Sequence, residues 1–239
     1  MYKPRSYRSW SKSGDLVFFE VIEKETDLAI YALTDLEKQA RALVLTCRND
    51  LVQYIKRDPA FQHSLEPVTL EAEAPKIAID MADAGRKAGV GPMAAVAGAI
   101  AEFVAREIAR FSSEIIVENG GDIFLMTAKT RTLGIYAGEA SPFSGKLALE
   151  IGPSEEGLGV CTSSGTVSHS LSFGKSDAVV IISRDTALAD AVATATGNMI
   201  KGPEDISDGI DFARSIKGVM GVLAIVQDKM GSWGEIKLV

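Results

Sequence analysis

Four short stretches of this 239-residue chain combine residue types able to do chemistry. The first holds Asp190 and Thr194, four residues apart in Ala189-Asp190-Ala191-Val192-Ala193-Thr194. On a helix that spacing stacks hydroxyl over carboxylate on one side, and such oxygens, completed by phosphates, suit a hard ion such as Mg²⁺. The second is Cys161-Thr162-Ser163-Ser164-Gly165, with His169 following. Its hydroxyls and glycine can hold phosphate, and Cys161, read as leading the turn, becomes a nucleophile where nearby donors favour the thiolate. The third is Glu118-Asn119-Gly120-Gly121-Asp122, where paired glycines let a ligand lie against bare backbone. The fourth is Gly91, in Gly89-Val90-Gly91-Pro92, where a helix start offers free N–H groups and a positive dipole end to an anion.

Each stretch also has a plainer reading. Asn-Gly is a hairpin signal, Gly before a helix is an ordinary turn, and Ser/Thr/Gly clusters are commonly just loops. His169 reads equally well as a hydrogen-bonded structural residue. Leu188, Val192, Ala195 and Met199 form one apolar face, which turns Asp190 away from the core. Yet the residues around Asp190 are nearly all Ala or Gly, an odd composition for a solvent face.

These residues need elements to position them. Residues 16–22 and 27–33 have the composition of paired strands. A capping box, Thr34-x-x-Glu37, predicts a helix with Leu36, Ala40, Leu43, Val44, Cys47, Leu51 and Ile55 on one face, ending at Asp58-Pro59. That face makes Cys47 a small core hydrophobe. Residues 66–91 show a mixed pattern, with a short strand or helical turn near Ile77 and Ile79. A helix is expected over 92–110, with a first half of Ala and Gly that lets a backbone or a ligand approach closely. Strands follow at 114–118, 123–127, 133–136, 146–151, 158–162 and 178–183, then helices over 186–200 and 204–216. A strand over 219–226, a turn at 228–231 and a last strand at 235–239 complete the chain. Strands in meanders with irregularly placed helices predict an α+β protein with antiparallel or mixed sheets and several packed helices. No Pro/Gly/Ser-rich linker divides it, which favours one continuous unit over two intimate lobes, 1–88 and 89–239.

Bulk properties exclude several function classes. A net charge of −7 without a basic cluster argues against nucleic acid. The longest apolar stretch, 90–101, is too short to span a bilayer, and no apolar segment follows the basic residues near the N-terminus. Two cysteines make no disulfide framework, so a cytoplasmic location is expected.

In order along the chain, the Asn-Gly-Gly-Asp turn, the Thr-Ser-Ser-Gly turn with a later His, and the Ala-Asp-x-x-Ala-Thr helix resemble the ApbE superfamily of FAD:protein FMN transferases. The resemblance spans residues 89–200 and implies a divergent branch with an ApbE-like fold. It implies that Gly120, Gly121, Asp122, Ser164 and Gly165 line a pocket for FAD or FMN, and that Asp190 and Thr194 bind Mg²⁺. It also sets Gly91 near the diphosphate and His169 at the position of a family histidine. The family's lysine after the Gly-Gly segment is missing here, and no Asp-Pro follows His169. Three functions follow: a nucleotide-binding transferase, a thiol or persulfide carrier using Cys161 and His169, and a non-catalytic ligand-binding or assembly protein that forms homo-oligomers.

Overall fold

The structure, a computed structural model, describes residues 14–139, 141–165 and 174–239. Its centre is one antiparallel sheet of eight strands. The hairpin β1 (Val17–Glu23) and β2 (Thr26–Ala32) leads, followed by β3 (Ile115–Asn119) and β4 (Asp122–Thr127). A separate small hairpin, β5 (Arg131–Gly134) and β6 (Ala148–Ile151), interrupts the order before β7 (Ser154–Ser163) and β8 (Ala178–Ser183). β9 (Val219–Val226) and β10 (Lys229–Gly234) complete the large sheet in the order β1-β2-β3-β4-β7-β8-β9-β10.

Strand alternation divides the apolar residues between two cores. Leu28, Val117, Phe124, Ile181 and Val222 face a layer of helices. Ile116, Leu125, Val180, Ile182 and Leu223 face the β5–β6 hairpin instead. Arg131 anchors that hairpin through buried Glu114 (Nη2 to Oε2, 2.7 Å), whose other oxygen accepts from the Ala128 N–H. The helices are α1 (Glu37–Arg57), α2 (Ala60–His63), α3 (Lys76–Ala88), α4 (Val96–Ile108), α5 (Thr186–Met199) and α6 (Ile206–Ser215). β1, β2 and α1 share the helix-side core with the elements after residue 89.

Several sequence expectations change. α1 starts from Leu36 with no side-chain cap, so Thr34 does not cap it, and Asp35 accepts from Glu37 N at 2.9 Å just ahead of the helix. The mixed stretch before Gly91 is the helix α3, with Ile77, Ala78, Met81, Ala82, Gly85 and Ala88 buried. Its small residues hid the helical period, because Ala and Gly score weakly as apolar positions. Residues 92–95 form a 3₁₀ turn, and α4 proper begins only at Val96. The final hairpin turns at Gln227 and Asp228, so β10 lies earlier than the predicted last strand. The 235–239 segment crosses instead to β6, with Ala148 and Val239 exchanging backbone hydrogen bonds at 2.9 and 3.1 Å.

α4 and α5 run antiparallel where they cross, and each supplies a carboxylate to the other's N-terminus. Asp190 of α5 accepts from Gly98 N of α4 at 2.9 Å, and Glu102 of α4 accepts from Thr186 N of α5 at 2.7 Å. A carboxylate on a free N–H at a helix start is worth about 0.5–2 kcal/mol. The contact needs Gly98, because a Cβ there would sit 2.5 Å from the Thr186 carbonyl oxygen and 2.9 Å from Asp190 Cβ. Gly98→Ala is therefore expected to cost about 1–3 kcal/mol in urea unfolding. Gly152→Ala, with nothing within 4 Å of the new methyl, serves as the control and stays within about 0.5 kcal/mol.

Candidate functional site

Three elements meet at the start of α4. The β3–β4 turn presents Gly120 and Gly121, both at positive φ (71° and 106°), a conformation that glycine adopts without strain. Gly121 N donates to Glu118 Oε1 at 2.8 Å, and Asn119 Nδ2 donates to the Ala97 carbonyl at 3.1 Å, which fastens the turn to α4. The Asn-Gly signal thus marks a tight turn, and the turn also borders the place where α4 and α5 cross.

Asp122 opens β4 opposite Cys161 of β7. Both point toward the helices, since they alternate with residues of the far core. Asp122 is buried, and its Oδ1 has no hydrogen-bond partner. Burial pushes its carboxyl well above the ordinary range, and the nearby Asp190 charge pushes it further, against a hydrogen bond from the Cys161 thiol. Asp190 is raised by burial to about 7, against the Gly98 and Ala97 N–H groups that favour its carboxylate.

The structure corrects the expected exposure of Asp190. α5 is buried on nearly every side, packed on α3, α4, α6 and the sheet, so its Ala-rich surroundings are helix–helix contact. Met199, expected in the core, is 43% exposed. Thr194 lies one turn beyond Asp190 and is half-buried. Carboxylates at Asp122 and Asp190 that burial disfavours, one oxygen of which lacks a partner, have the chemistry that a divalent cation would satisfy. No three His, Cys, Asp or Glu side chains converge among the described residues, so an ion here would need hydroxyl, carbonyl, water or phosphate oxygens as well.

Gly91 does not provide the anion cradle expected of it. Its N–H is taken by the Leu65 carbonyl at 2.9 Å, and Val90 N by Gly85 O at 2.9 Å, because this segment closes α3. The true N-terminus of the next helix lies further on and is filled by Asp190. That capping carboxylate is what reading Gly91-Pro92 as a helix start missed. The one available signal was the Ala/Gly-rich composition shared by the two helices.

Cys161 is likewise not the head of a turn. It sits inside β7, fully buried, with Sγ 3.4 Å from the Thr186 carbonyl. Burial, followed by the Asp122 and Asp190 charges, drives its thiol well above the usual range, the opposite of an activated nucleophile. Ser164 is buried at the end of the same strand, and Gly165 is exposed with its N–H on the Ser176 carbonyl at 2.9 Å. His169 lies outside the described residues.

Two measurements test this site. Cys47, held up at about 12 by burial, and Cys161 are both buried, so neither should react with iodoacetamide in the native protein at the rate of a free thiol. Denaturant should expose both. Because the folded pKa values of Asp122 and Asp190 are raised, the folded chain keeps protons that the unfolded chain releases, and stability falls as pH climbs above the ordinary carboxyl range, for Asp190 up to about 7. Without added divalent cation, the melting temperature should rise as the buffer moves from about pH 8 to about pH 6, and Asp122→Asn should shrink that gain.

Comparison with known proteins extends over the whole of this arrangement. A family model described as AbpE bacteria matches residues 8–226. A UPF0280 protein of Methanocella arvoryzae is 44% identical over 214 residues, covering 89% of this chain and 86% of its own length. Another, from Methanoculleus marisnigri, is 46% identical over 198 residues, covering 82% and 79%. Among solved structures, the flavin transferase ApbE from Vibrio cholerae superposes with a TM-score of 0.61 at 13% identity, covering 92% of this chain and 97% of the other. The flavinyl transferase ApbE of Pseudomonas stutzeri does so with a TM-score of 0.56 at 13% identity, covering 92% and 94%. The fold is that of the ApbE proteins, and the chain belongs to the AbpE bacteria family as a divergent ApbE-like branch, alongside the UPF0280 proteins.

Proposed function

We propose that this protein binds a flavin nucleotide, or a related nucleotide diphosphate, together with Mg²⁺ where α4, α5 and the β3–β4 turn meet, and that it transfers a nucleotidyl or phosphoryl group. The observation that carries the reading is the Asp122–Asp190 pair. Two buried carboxylates that repel each other are costly to keep ionised, and a cation between them removes most of that cost. Among Glu118, Asn119, Asp122, Asp190 and Thr194 no side chain is cationic, so in this reading the ion supplies the counter-charge of a diphosphate. The flavin transferases that share the fold support a flavin over other nucleotides.

In this reading Asp190 and Thr194 hold the ion, Asp122 balances its charge, and Gly120, Gly121, Ser164 and Gly165 border the nucleotide. When bound, the ion neutralises the diphosphate and polarises the bond that breaks. The N–H groups of α4 orient Asp190 and favour its ionised form. Cys161 takes no part, so the transferred group passes to an acceptor from outside the chain.

Thermal unfolding with FAD, FMN, ADP and ATP, each with and without Mg²⁺, tests the proposal. A ligand at 100 times its Kd stabilises by about 2.7 kcal/mol. For a chain of this size that raises the melting temperature by roughly 2–4 °C per kcal/mol. The expected result is a Mg²⁺-dependent rise with one nucleotide, lost in Asp190→Asn, whose amide oxygen can still accept from Gly98. A rise that is independent of Mg²⁺, or unchanged by Asp190→Asn, would sink the reading.

A further inference from the structure

Far along the sheet from this site, β10 forms an edge with no strand beyond it among the described residues. Five of its six residues are exposed, including Met230 at 45% and Trp233 at 38%. The chain itself leaves this edge uncovered. Gly234, at φ 76°, turns the backbone back so that Glu235 N bonds the Met220 carbonyl, and the last residues run to β6. Natural edges are blunted by proline, bulges or inward-pointing charges, and β10 carries only Lys229 at its first position.

Beside this edge, between α6 and β10, lies a groove of about 650 Å³. Ile206, Ile210 and Trp233 give it an apolar lining, while Glu204 and Asp211 are matched by Arg214 and Lys229. The whole chain carries −7, yet this surface is charge-balanced. Such a balance lets the surface meet a copy of itself without net repulsion, since an isologous interface sets residue i of one copy against residue j of the other and makes each pair twice.

We infer that β10 pairs antiparallel with β10 of a second copy across a twofold axis centred on Gly231, joining the two eight-stranded sheets into one. A twofold perpendicular to the sheet keeps the helix faces on one side, so residues opposed across it must share a face. Lys229, Gly231 and Trp233 lie on the helix side, since they pair with Val226, Ala224 and Val222 of β9. Centring on Gly231 therefore sets Lys229 of each copy opposite Trp233 of the other. The lysine stem lies along the indole with its ammonium over the ring, an arrangement made twice. At the axis Gly231 makes room on the helix side for Ile206 and Ile210 of α6, which lie 2.8 and 2.9 Å from where its Cβ would sit.

Sedimentation velocity of the full chain at micromolar concentrations should show a particle of twice the 25.4 kDa chain mass. Trp233→Lys sets like charges opposite each other and should give a monomer. Adding Lys229→Glu to that variant restores opposite charges and should restore the dimer. Under mild oxidation a Met230→Cys/Ser232→Cys variant, whose two cysteines oppose each other across the axis, should cross-link to a second copy, and Ser232→Cys alone should do so far more slowly. The cross-linking result stands even where Trp233→Lys fails to fold. A monomeric wild-type chain, which would leave the edge for an extended segment of another protein, overturns the inference. So does a dimer that survives Trp233→Lys in a folded protein, or cross-linking of Ser232→Cys alone as fast as that of the double variant.

Discussion

The exchange of carboxylates between α4 and α5 organises this protein. An N-terminal helix turn exposes N–H groups that must find acceptors, and in a buried helix water cannot supply them. Here Asp190 and Glu102 do so reciprocally, each four residues along its own helix from the backbone group that the other carboxylate reaches. The exchange works only at close approach, which explains why glycine stands at 98 and why alanines crowd both helices. α5 in turn lies on β7 and β8, so the crossing sets the helix layer against the middle of the sheet.

The same contact brings a carboxylate into an environment that opposes its charge. Asp190 is held by helix N–H groups, which favour ionisation, but burial outweighs them. Asp122 adds a second acid with one oxygen lacking any partner. A fold that only needed packing would place Asn or an apolar residue there, at lower cost. The acid pair, beside the glycine turn of β3–β4, is thus the feature of this junction that packing alone does not account for, and the proposed site rests on it.

Cys161 and Gly91 show how local patterns mislead. Both sit in stretches whose composition suits chemistry, and both are consumed by structure. The Cys161 thiol rests against a helix carbonyl inside a strand, and the Gly91 N–H is taken by the Leu65 carbonyl of the segment before α3. Neither outcome can be seen in neighbouring residues, because the partners, Thr186 and Leu65, come from 25 and 26 positions away.

What the sequence determined by itself is everything that depends on short-range periodicity and turn chemistry. The amphipathic stripe of α1, the strand runs from Ile115 to Ser183, the Asn-Gly turn, and the i,i+4 placement of Asp190 and Thr194 were all legible, as was the α+β class. The tertiary structure decided the rest. It made a helix of the alanine-rich stretch ending at Ala88, moved the last strand of the sheet to Lys229–Gly234, and turned Asp190 from solvent into the interior. Those outcomes rest on which surfaces meet. A stretch of small residues carries no strong apolar period of its own, so only contact between helices decides which side is buried and which acid faces another.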